Sequence, residues 1–134
     1  MARRLILDTT VLVTAERGTT PLGDLLDDAD DVAIAAITAA ELLVGVALAD
    51  AKRRPAREAF VGEVLATVPV QQYDLDVARV HARLLAHVRR TGLPRGAHDL
   101  IIAATATATG RIVVTSDAAG FDGLPDVAVL DSAR

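Results

Sequence analysis

The chain has no cysteine and no tryptophan, and its aromatic side chains amount to Phe60, Phe121 and Tyr73. Without cysteine there is no disulfide framework, thiolate zinc site or cysteine nucleophile, a composition that fits a reducing cytoplasm. So few aromatics argue against a stacking platform for single-stranded nucleic acid. Lysine is nearly absent too: Lys52 is the single one among 14 basic residues, and no glycine-rich loop ends in a lysine that could serve a Walker-type phosphate site. Long apolar runs are also missing where a leader would need them. Leu5-Ile6-Leu7 follows two arginines but stops at Asp8, too short for the apolar region of a signal peptide. Residues 32–48 are apolar apart from Glu41. In a bilayer a central carboxylate costs about 2.5 to 3.5 kcal/mol, which nearly cancels gains of about 0.3 to 0.6 from each strongly apolar residue. The segment is better divided into a buried strand and a helix, and no membrane association is expected.

What remains is aliphatic. Hydrophobic residues make up 51% of the 134 positions, enough for one domain spanning 1–134 to bury a core without staples. A net charge of −4 argues against bulk, sequence-blind binding of nucleic acid, yet leaves room for a local acidic site that recruits a cation.

Periodicity and punctuation order the elements. Arg3–Leu7 reads as a buried strand closed by Asp8, and 9–17 as a short helix stopped by Gly18. Pro21–Ala29 reads as a second helix, 32–36 as a second strand. Thr38 and Glu41 have the spacing of a capping box ahead of Leu42, which starts a helix near 38 and puts Glu41 in its first turn. A helix over 55–66 and a strand over 68–72 follow. From Asp74, residues Val77, His81, Leu84, Leu85 and Val88 share one helical face, ended by Gly92 and Pro94. Residues 98–109 form a very apolar helix capped by Gly110, and strands are predicted at 111–114 and 127–130. Short apolar strands separated by helices imply an α/β fold, a parallel sheet with helices on both faces.

In such a sheet, ligands bind beyond the carboxyl ends of the strands. Four acids fall there: Asp8 ends the first strand, Glu41 and Asp99 open helices, and Asp117 follows the fourth strand with two residues between. Taken singly, Glu41 and Asp99 read equally well as first-turn acids favoured by the helix dipole, and Asp117 as a turn residue. Taken together, carboxylates crowded at one sheet edge repel, and are relieved by protonation or by a cation. An oxygen-only donor set suits Mg²⁺ or Mn²⁺.

The stretches LDTTVL at 7–12, AITAAELLVG at 36–45, HDLIIAATA at 98–106 and VVTSDAAGF at 113–121 resemble the PIN-domain nucleases, and within them the VapC-type toxin ribonucleases of toxin–antitoxin pairs. The resemblance runs through nearly the whole chain, with the motifs in order. It implies a Rossmann-like five-stranded parallel sheet of order 3-2-1-4-5, and it places Asp8, Glu41, Asp99 and Asp117 as the acidic metal-binding quartet. Thr115 would orient the last acid or a water, with Thr10 supporting. Two departures are visible: the family usually has Asn or Ser where Thr10 stands, and Asp before the phenylalanine where Gly120 stands.

The same resemblance implies metal-dependent hydrolysis of RNA to 5′-phosphate and 3′-hydroxyl products, a small antitoxin partner and a homodimer. Arginines should grip the substrate backbone, with Arg79, Arg83, Arg89, Arg90 and Arg95 as candidates and Arg53, Arg54 and Arg57 as a second group. His81 and His87 read as packing or surface residues, and no direct role is expected of His98. Two other readings compete. A PIN-like binding or assembly module would keep the fold without catalysis, but the intact four acids speak against it. A phosphate-handling hydrolase or receiver domain on a related sheet needs a second Asp where Thr10 stands, or an acidic pair and a late lysine.

Overall fold

A computed structural model describes residues 2–18 and 26–132. The strands are β1 (Arg4–Leu7), β2 (Asp31–Ala35), β3 (Val70–Gln71), β4 (Ile112–Thr115) and β5 (Val129–Asp131). The helices are α1 (Thr9–Glu16), α2 (Ala36–Leu48), α3 (Arg54–Thr67), α4 (Leu75–Thr91) and α5 (Ala97–Ala108), with a 3₁₀ turn at Ala118–Phe121. All strand pairings are parallel, in the order β3-β2-β1-β4-β5. The expected α/β architecture and strand order are both present.

Alternation along the strands explains why both faces are covered. Leu5, Leu7, Ile34 and Val114 pack with Val11, Leu12, Leu42, Val61 and Val64 on the face of α1, α2 and α3. Ile6, Ala35 and Val113 pack with Val77, Leu84, Ile102 and Phe121 on the other. Leu5, Ile6 and Leu7 are all fully buried, as a central parallel strand requires. The chain leaves β1 toward β2 on one side and returns to β4 on the other, so the strand order reverses between β1 and β4. A crevice outside the ends of those two strands follows from that reversal.

Several boundaries depart from the sequence reading. Of the helix expected over 21–29, residues 21–25 lie outside the described residues, and Leu26–Ala29 are not helical. There Asp30 accepts from the Asp27 amide at 2.8 Å while its own amide donates to the Asp27 carbonyl at 3.0 Å, closing a turn that competes with a helix. The capping box is not formed: α2 begins at Ala36 with no side-chain cap, which puts Thr38 inside the helix and Glu41 in its second turn. Thr38 is fully buried and its hydroxyl meets no partner among the described residues. Near the last strand, Asp126 at φ 63° and Gly123 at φ 75° hold the chain in turns, so β5 starts at Val129 rather than 127. The apolar stretch 32–48 divides into β2 and α2 much as expected, and no helix among the described residues is long and apolar enough to cross a membrane.

The end of the sheet opposite the crevice is closed by Arg111. Its buried guanidinium donates to the carbonyls of Leu5 at 3.2 Å and Asp31 at 2.8 Å and to the Asp31 carboxylate at 3.1 Å, tying β4 to β1 and β2. Arg111→Ala strands those acceptors and leaves a void, and is expected to lower stability by about 2 to 4 kcal/mol while sparing any activity at the far edge. Denaturant melts of the two proteins check this.

Candidate active site

The amide of Asp8 donates to the Val114 carbonyl at 2.9 Å, which sets Asp8 beside Thr115 at the carboxyl edge of β1 and β4. Asp8 is 3% exposed, yet no cationic side chain pairs with it among the described residues. Neutral donors hold it instead. The Thr9 amide reaches Oδ1 at 2.7 Å, and the hydroxyls of Thr10 and Thr115 reach Oδ2 at 3.0 and 2.7 Å. Each hydroxyl spends its single proton on Asp8 and is then free to accept. Thr115 Oγ1 takes the Asp117 amide at 3.0 Å, and Thr10 Oγ1 the Ser116 amide at 3.2 Å. The two threonines thereby fix the loop that carries Asp117 against the buried Asp8.

Glu41 comes from α2. Its Oε1 accepts from the Thr9 hydroxyl at 2.9 Å, and its Oε2 lies 3.2 Å from His98 Nδ1. Asp99 sits in the first turn of α5. Two glycines make room for it: a Cβ at Gly120 would stand 2.9 Å from Asp99 Oδ2 and 3.7 Å from Asp117 Oδ2, and one at Gly96 would stand 3.1 Å from Asp99 Oδ2. Asp99 and Asp117 therefore face a common point that only glycine leaves open. Burial is the main cause that raises the Asp99 pKa to about 6, and repulsion from Asp8, Asp117 and Glu41 adds to it. Four carboxylates, two following the ends of β1 and β4 and two from the early turns of α2 and α5, thus bear on one another.

The arginines behave differently. Arg95 donates to the Ala119 carbonyl at 3.2 Å and to the Asp122 carbonyl, clipping the loop before α5 to the 3₁₀ turn after Asp117. Arg79, Arg83, Arg89 and Arg90 are exposed on α4. Among the histidines, His81 bonds Tyr73 Oη through Nδ1 at 2.7 Å, its ring edge-on to the tyrosine, and burial lowers its pKa. Sequence reasoning missed Thr9 and His98 as the two partners of Glu41. The available signal was a hydroxyl directly after the strand-end Asp8 and an imidazole directly before Asp99.

The donor set suits a hard divalent cation: carboxylates and hydroxyls alone, mutually repelling, in a cradle kept open by glycine. As the side chains lie, no three described His, Asp or Glu groups are gathered tightly enough to ligate one ion, because Asp8 and Glu41 direct their oxygens to threonine and histidine donors. Closing around an ion requires those side chains to turn.

A family model described as the PIN domain matches residues 5–126. The chain belongs to the PIN-domain family. Among curated proteins, this PIN domain is 35% identical to ribonuclease VapC5 of Mycobacterium tuberculosis, over 93% of each chain. Its fold matches the solved VapBC-5 toxin–antitoxin structure from the same organism, with TM-score 0.78, 32% identity and coverage of 96% of this chain and 98% of that one. DNA-bound VapBC from Salmonella typhimurium matches with TM-score 0.85 at 25% identity, over 98% of each chain.

Two expectations follow from the crowding at Asp99. A carboxyl whose folded pKa is about 6, against an ordinary 3.8, binds its proton more tightly when folded. Its contribution to stability is therefore full below the ordinary value and lost as pH rises through the folded one. In the absence of metal, Asp99→Asn should raise stability above that pH by about 1 to 2 kcal/mol, allowing for solvent screening, and change little in acid. Thermal melts across the pH range read this directly. Gly120→Ala should turn the Asp99 carboxylate aside and weaken Mn²⁺ binding several-fold by calorimetry, with the fold intact.

Proposed function

We propose that this PIN domain is the ribonuclease toxin of a type II toxin–antitoxin pair, hydrolysing RNA phosphodiesters in the reducing cytoplasm at the pocket of Asp8, Glu41, Asp99 and Asp117. The observation that carries the reading is a buried strand-end carboxylate, Asp8, paired only with neutral donors, at the same sheet edge where Asp99 and Asp117 face one gap beside Gly120. Asp8 and Asp99 would chiefly hold a divalent cation, with Glu41 and Asp117 binding it directly or through water. Mg²⁺ is the natural ion and Mn²⁺ a substitute. Such an ion, when bound, polarises a phosphoryl oxygen and lowers the pKa of a bound water.

The protein's own groups do the rest. Thr10 and Thr115 fix Asp8 and the Asp117 loop in one frame, and Thr9 with His98 fixes Glu41 from two sides. An antitoxin partner is supported by relatives whose solved structures are toxin–antitoxin complexes. We also read the protein as a homodimer, supported by large apolar side chains left exposed on α2 at Leu43, Val44 and Leu48.

Asp8→Asn and Asp99→Asn should each abolish cleavage of labelled RNA while the protein still melts cooperatively. Mn²⁺ should raise the melting temperature of the parent and of neither variant, since an ion that binds only the assembled site stabilises by mass action. Full cleavage in excess chelator, with melts indifferent to metal, would remove the metal-dependent reading.

A further inference from the structure

Two adjoining cavities lead away from Glu41 on the side of α1 and α3. The nearer, about 170 Å³, is lined by Thr9, Glu16, Arg17, Glu41 and Arg57 among others. The farther, about 380 Å³, is lined by Glu16, Lys52, Arg53, Arg57 and Phe60. Glu16 and Arg57 belong to both. Their ion pair, 3.0 Å from Nε to Oε1, with a further bond from Arg57 to the Gly45 carbonyl at 3.4 Å, forms the post between them. The two hollows thus make one path from the acidic pocket to the stretch before α3.

The cations on this path are the available ones. Arg17 and Lys52 are exposed with no ion pair among the described residues, and Arg53 makes only a long contact of 3.7 Å to Asp50 with both side chains largely in water. Arg54 is different, its guanidinium being spent on the carbonyls of Ala49 and Val46. In a chain of net charge −4, a row of free cations beside four carboxylates is a local reversal of sign. The α4 arginines line neither cavity.

Resting on the ribonuclease reading above, we propose that the RNA strand runs along this path, with backbone phosphates on Arg17, Lys52 and Arg53 and Arg57 standing at the bend toward Glu41. A phosphate chain is favoured over an acidic protein segment because the path ends at carboxylates. Those repel a peptide's acids throughout, whereas a scissile phosphate is drawn there by the cation the pocket binds. Phosphate contacts of this kind set the position of the strand and carry no base information. Phe60 packs partly against the core and lines the farther hollow.

The test uses the full chain carrying Asp99→Asn, which is expected not to cut, and a labelled single-stranded RNA of mixed sequence followed by fluorescence anisotropy without added metal, since the phosphate contacts on the path are made by side chains outside the pocket. Adding K52S and R53S should weaken binding about tenfold and reduce the slope of log affinity against log salt by about 1.4, roughly 0.7 for each lost phosphate contact on a single strand. The same pair in the active protein should lower kcat/KM on RNA, leaving the Mn²⁺-induced melting shift intact. R89S with R90S on α4 is the rival arm. Unchanged RNA binding in K52S/R53S, or a loss confined to the α4 pair, overturns the path. So does retention of RNA binding with loss of antitoxin capture, which would make the surface a protein site. If the parent chain neither binds nor cuts RNA, the ribonuclease reading itself fails, an outcome distinct from parental cleavage with an indifferent K52S/R53S.

Discussion

A buried carboxylate without a cationic partner is the constraint around which this molecule is arranged. Asp8 is taken out of water at the end of the central strand, where an isolated charge is expensive. The protein answers with an amide and two hydroxyls, which satisfy its lone pairs but leave its charge uncancelled. Asp99, itself partly buried and with Asp8, Asp117 and Glu41 acting on it, holds its proton above the ordinary carboxylate range. An arrangement that only destabilises the metal-free chain makes physical sense as a seat for a cation.

The fold supplies the means. Parallel strands with helical crossovers send β1 and β4 out side by side where the strand order reverses, so residues more than a hundred positions apart meet at one edge. Stability is invested elsewhere: two aliphatic layers grip the sheet from both faces, and Arg111 bridges three strands at the end away from the pocket. That separation lets the acidic edge carry its repulsion. The chain belongs to the PIN-domain family and is similar to VapC relatives.

Much of this was legible in the residues, and for identifiable reasons. Leu5-Ile6-Leu7 and Val113-Val114 are unalternated apolar runs because both faces of their strands are covered, so a parallel sheet could be read from them. Asp8 stood out because a charge ends such a run. Boundaries were harder to read. Thr38 carried the spacing of a cap, but its burial in the second position after the helix start is decided by packing against the sheet, which no local pattern reports. Arg95 read as a phosphate ligand, and only the tertiary structure shows its guanidinium on the carbonyls of Ala119 and Asp122. Gly120 read as a departure from the family pattern; in the fold it lies against Asp99. Glu41's two partners are likewise contacts between helices, invisible to spacing along one of them.

Substoichiometric Mn²⁺ added to isotopically labelled protein reports the ion's position through the amide signals that it broadens, without recourse to activity. Broadening is expected at Asp8, Thr9, Glu41, Asp99 and the residues from Thr115 to Ala118, fading with distance from that edge. Broadening centred on the acidic turn from Asp27 to Asp31, or spread evenly over surface carboxylates, would contradict it.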